Sequence, residues 1–134
     1  MELEQQLAAA AAAIQTLGLD YVERTLEDIS RARAIVKDTN ADGNVSEPGC
    51  NALFLIFHDI KGQGTTFDYP LVTHIGTSLC TLLREDKVLN SKDLHIIQHH
   101  IAALTLVLKH EISGDGGPLG QKLLSRLADI AAAV

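Results

Sequence analysis

Apolar residues recur along this chain at intervals of three and four, the period of helices that bury one face. Leu3, Leu7, Ala10, Ile14 and Leu17 mark a first helix, in a stretch rich in Ala, Glu and Gln, and Gly18 is expected to end it. Val22, Leu26, Ile29, Ala32 and Val36 mark a second, which stops at the polar run Asp38 to Asn44. Ser46 reads as the N-cap of a third helix, with Pro48 in its first turn and an end near Thr65 or Thr66. Asp68 reads as the cap of a fourth, opened by Pro70 and carrying Leu71, Ile75, Leu79 and Leu82. Asn90 or Ser91 opens a fifth, expected to be the longest, with Leu94, Ile97, Ile101, Leu104, Leu108 and Ile112. Gly114, Gly116, Gly117 and Pro118 break it, and Leu119, Leu123, Leu127 and Ile130 mark the last. No run alternates convincingly as a strand. Short loops favour antiparallel neighbours, so the expected fold is all-α: an up-and-down antiparallel four-helix bundle with additional N-terminal and C-terminal helices.

The 134-residue chain has no Gly/Ser linker, composition break or internal repeat, so residues 1–134 read as one domain. Its 46% hydrophobic and 21% charged residues are ordinary for a globular protein and too apolar for a disordered one. A formal charge of −6 argues against a nucleic-acid partner, which needs a basic face. Cys50 and Cys80 are too few for a disulfide scaffold or a four-Cys zinc site, and are expected as reduced, buried thiols of a cytoplasmic protein. The start Met1-Glu2-Leu3-Glu4 is acidic where an export signal is basic, and the run Ala8 to Ala13 is too short to span a bilayer. No membrane association is expected.

The third helix carries the chemistry. At 100° per residue, Leu53, Ile56, Phe57, Ile60, Gly64 and Phe67 gather on one side as its core face. His58 lies opposite, surrounded on the outer face by Asn51, Phe54, Leu55, Lys61, Gly62 and Thr65. An exposed neutral imidazole is a nucleophile near pH 7, and an ammonium one turn along neutralises charge on phosphoryl oxygens. Gly62 bares the backbone beside the ring, so a bulky partner can reach it. No Walker-type glycine-rich loop is present, so the phosphoryl group has to come from another protein.

The other histidines lack this setting. His95 and His99 form an i, i+4 pair without a third metal ligand, His110 falls on the same outer face, and His74 has no lysine partner. Asp38, Asn40, Asp42 and Asn44, with Gly43 at the turn, match the first positions of an EF-hand calcium loop. Its twelfth position is Gly49 where a bidentate Glu belongs, so the segment reads first as a polar loop of turn formers.

The stretch His58-Asp59-Ile60-Lys61-Gly62-Gln63-Gly64-Thr65-Thr66-Phe67 resembles the phosphorylation motif of histidine-containing phosphotransfer (HPt) domains: His-x-x-Lys-Gly, then a small residue, then an apolar one nine after the His. His58, Lys61, Gly62, Gly64 and Phe67 match it position by position. The likeness spans roughly residues 20–112 and is strongest at 54–67; Asp68, where the family often has Gly, and the insertion 38–49 depart from it. The resemblance implies a phosphorelay intermediate of two-component signalling. His58 would accept a phosphoryl group from a receiver-domain aspartate or a kinase and pass it to another receiver, with Lys61 stabilising its charge. Asn51, Phe54, Leu55, Gly62 and Thr65 would dock the partner, while Gly64 and Phe67 pack the motif. The partners implied are response-regulator receiver domains and a hybrid sensor histidine kinase. The transfer metal belongs to the receiver, no cofactor or kinase activity resides in this chain, and a monomer is expected. Two other readings compete: an HPt-like protein that docks and inhibits without carrying phosphate, and a calcium-responsive helical module.

Overall fold

The computed structural model describes residues 2–84 and 87–132. They form five helices: α1 (Glu2–Lys37), α2 (Glu47–Gly64), α3 (Pro70–Leu82), α4 (Ser91–Lys109) and α5 (Gly117–Ala132). Among these residues the chain is all-helical, with one isolated antiparallel bridge between Val45 and Leu89. No helix among them is long and apolar enough to cross a membrane.

The expected break at Gly18 is absent. α1 runs through it for 36 residues and is the longest helix, a place the pattern assigned to the segment that became α4. A glycine inside a helix costs about 1 kcal/mol relative to alanine. That is too little to end a helix nucleated by a buried turn at Tyr21, Val22 and Thr25 and continued by alanines. Gly117 and Pro118 likewise begin α5 rather than merely separate two helices. The α4 start is as read: Asp93 N–H donates to Asn90 Oδ1 at 2.9 Å and Asn90 N–H to Asp93 Oδ2 at 3.1 Å, a closed capping box.

Two helix ends correct the sequence reading. Asp68 does not cap α3, whose N-cap is Tyr69. It closes α2 instead, at φ +65°, with Tyr69 N–H donating to Gly64 O at 2.7 Å and Asp68 N–H to Thr65 O at 3.1 Å. This pair of bonds around a left-handed residue is a Schellman ending, and glycine is its usual occupant. α4 stops at Lys109 in the same way: Glu111 takes φ +47° while Ile112 N–H donates to Val107 O at 2.9 Å. Ile112 therefore lies outside the helix yet still packs on the core.

α1 packs on α2, α2 on α3, α3 on α4 and α4 on α1, while α5 lies against α3 and α4. Ile29, Ala32 and Val36 meet Leu53 and Phe57, Ile75 and Leu79, and Ile97 and Leu104 in one core. Each large apolar side chain buried there contributes about 1.5–3 kcal/mol. Cys50 and Cys80 are buried and form no disulfide. Residues 2–17 of α1, in contrast, are exposed throughout.

Candidate functional site

α2 presents two unlike faces. Leu53, Phe57, Ile60 and Gly64 are buried, Ile56 is half-buried, and Asn51, Leu55, His58, Gly62 and Thr65 are exposed. The His58 side chain is 56% exposed, with its Nδ1 4.0 Å from Asp59 Oδ1. Two residues assigned to the outer face are half-buried instead, Phe54 and Lys61. Phe54 leans onto the core and sets its ring 5.7 Å from the imidazole, tilted by 33°. It therefore forms a wall beside His58 rather than a free surface residue.

Lys61 is held from below by α3. A Cβ on Gly76 would lie 2.6 Å from Lys61 Cβ and 3.2 Å from Lys61 Cα, so only glycine lets the two helices meet here. Thr73 Oγ1 donates to the Lys61 carbonyl at 3.1 Å and lies 3.1 Å from Thr65 Oγ1. Burial pushes the Cys80 thiol pKa up, and the Lys61 and Arg84 charges partly oppose this.

The three glycines near the motif differ in kind. Gly62 has nothing within 4 Å of the place a Cβ would take, so its bare backbone faces open space. At Gly64 the same atom would meet Thr73 Oγ1 at 2.5 Å and Tyr69 O at 2.9 Å, and at Gly76 it meets Lys61. Gly64 and Gly76 are packing positions. Phe67, grouped with the core face in the sequence, sits beyond the end of α2 and stacks on Tyr21 at 4.6 Å and 10°. Tyr69 also stacks on Tyr21, with ring centroids 5.8 Å apart, so the end of the motif is tied to α1.

Two groupings were not visible in the sequence. A cleft of about 310 Å³ between α1 and α2 brings Arg24 and Arg31 beside Asp59 and Gln63. Their spacing along the chain carries no sign of this, because the packing angle of the two helices creates it. His100, on α4, is 3% exposed, and its Nδ1 is 2.8 Å from the Ile96 carbonyl. It lines a cavity of about 550 Å³ with His74, Ser78, Ile96, Leu124 and Leu127. Desolvation holds its pKa below the ordinary value for histidine. His95, His99 and His110 are exposed, as expected, and His74 is exposed as well.

The calcium-like loop is organised by its own side chains. Asn40 Oδ1 accepts from Asp42 N–H at 3.0 Å and Asn44 N–H at 3.1 Å, while Gly43 adopts φ +77°. Gly49 lies in the first turn of α2, where a Cβ would fall 2.6 Å from Val45 Cγ1. Among the described residues no group of three or more His, Cys, Asp or Glu side chains is placed to hold a metal ion. Comparison with protein-family models, curated proteins and solved structures finds no match to this chain.

Proposed function

We propose that this chain is a histidine phosphotransfer protein of the HPt type, carrying a phosphoryl group on His58 between receiver domains. The observation that carries the reading is an accessible imidazole on a core-anchored helix, with open backbone one turn along at Gly62. The ring of pairings among α1, α2, α3 and α4 supports an antiparallel four-helix bundle, with α5 appended and the start of α1 extending beyond it.

In the proposed step, His58 Nε2 attacks the phosphorus of a receiver's aspartyl phosphate. The N–P bond forms, the P–O bond breaks, and the aspartate carboxylate leaves with the bonding pair. The proton on Nδ1 stays, so the ring becomes cationic facing Asp59, whose Oδ1 is 4.0 Å away. Lys61 offsets charge on the phosphoryl oxygens, a job of positioning and electrostatics. The receiver supplies the acidic pocket and its metal. Phe54 and Leu55 offer it apolar ground, and Gly62 lets it approach.

The test is incubation with a receiver domain phosphorylated on its aspartate. Label should move to this protein, and His58→Gln should abolish transfer while stability changes by no more than about 0.5 kcal/mol, as for an exposed position. Label persisting in that variant ends the assignment. Tight receiver binding without transfer selects the inhibitor reading instead.

A further inference from the structure

The first half of α1 has an apolar stripe and nothing to bury it against. Leu3, Leu7, Ile14 and Leu17 are each between 56% and 69% exposed, and with Leu19 they make five of the nine large apolar side chains left exposed among the described residues. The stripe is in line with the face that α1 buries at Tyr21, Thr25, Ile29, Ala32 and Val36. The core face of the helix thus continues out of the fold without a partner. Contiguous apolar surface of this kind marks an interaction site.

We propose that this stripe pairs with the same stripe of a second copy, as an antiparallel two-helix interface crossing near Ala10. The spacing Leu3, Leu7, Ala10, Ile14, Leu17 is the alternation of four and three that two packed helices share. Its sizes read the same in both directions: two large residues, one small, two large. A two-fold axis at Ala10 therefore places Leu3 against the partner's Leu17 and Leu7 within one residue, about 1.5 Å along the axis, of the partner's Ile14. A closed symmetric dimer needs this kind of self-complementary patch. Ala11 and Ala13, which flank the stripe on the helix surface, let the two backbones approach closely. Antiparallel pairing also sends the two folded bodies, which begin at Tyr21, to opposite ends, whereas a parallel pair would bring them side by side. No Lys or Arg precedes Arg24, while Glu2, Glu4, Asp20 and Glu23 are acidic, which disfavours an anionic lipid surface as the occupant.

The stripe is about 21 Å long at 1.5 Å per residue, so the buried area falls below the ~1,200 Å² of stable complexes. The dimer should therefore form in a concentration-dependent way, in place of the monomer expected from the sequence. Sedimentation equilibrium from micromolar to millimolar protein should show a monomer–dimer transition. Leu7→Glu combined with Ile14→Glu should abolish it without shifting the thermal melt, since neither side chain touches the core. Under mild oxidation Ala10→Cys should give a disulfide-linked dimer and Leu3→Cys should not, the native Cys50 and Cys80 being buried. A monomer at every concentration overturns the proposal, as does an unchanged association in the double variant. Cross-linking of Leu3→Cys overturns the antiparallel arrangement, and loss of free protein onto phosphatidylglycerol vesicles assigns the stripe to lipid instead.

Discussion

Two glycines on the α2–α3 pair should answer the same substitution with opposite signs. In Gly76→Ala the new Cβ starts 2.6 Å from Lys61 Cβ and 3.2 Å from Lys61 Cα. Carbon atoms pack at about 3.5–4.0 Å, so the two helices must separate by roughly 1 Å at their closest point. Neither a Cα nor a Cβ can rotate away. Overpacking of this kind costs about 1–3 kcal/mol, against a gain of about 1 kcal/mol in helix propensity. Because backbone must move, the cost should lie at the upper end, for a net loss of about 1–2 kcal/mol. Gly62→Ala meets nothing within 4 Å and should keep its whole propensity gain of up to about 1 kcal/mol. For 134 residues the unfolding entropy is about 280 cal/mol/K, so 1 kcal/mol moves Tm by about 3–4 °C. Thermal melts followed by circular dichroism should show Gly62→Ala about 3 °C higher and Gly76→Ala about 4–7 °C lower than the parent. Shifts of the same sign would refute the close seam at Lys61. The comparison bears on the site as well, since Gly76→Ala displaces the turn that carries Lys61, while Gly62→Ala alters only the approach.

Three further outcomes follow from particular residues. Asp68 holds φ +65°, so Asp68→Gly should raise stability by up to about 1 kcal/mol and Asp68→Val should lower it by more than that, read from urea unfolding. If Asp68→Gly destabilises, the side chain has a role that the backbone geometry does not explain. Burial keeps His100 neutral, so the unfolded chain takes up that proton first as pH falls through the ordinary value of 6.5. Stability should be full above that pH and fall below it, by at most about 1.4 kcal/mol per pH unit, and His100→Gln should flatten the loss; identical slopes in both proteins would remove His100 as the cause. Phe54→Ala should weaken receiver binding by about 1–3 kcal/mol and, because Phe54 is half-buried, also lower stability. Lower stability with unchanged affinity would make Phe54 a packing residue only.

Residue order alone was enough for the helical class, most of the element positions and the orientation of α2. Those properties depend on local periodicity, which one helix expresses by itself: Leu53, Phe57 and Ile60 on one side require His58 on the other. Properties set by neighbours distant in sequence were decided by the tertiary structure. Gly62, Gly64 and Gly76 are the same residue in a sequence, yet one faces open space and two are contact points, because only the α2–α3 crossing distinguishes them. Asp68 looked like a helix start because Asp is a good N-cap, and the Schellman bonds to Gly64 and Thr65 made it a helix end. Gly18 looked like a stop, but whether a glycine ends a helix depends on the burial available beyond it, and the turn at Tyr21 supplies that burial. The same stripe of apolar residues lies along both halves of α1. Periodicity shows that each half has a face to bury, and the fold covers only the second.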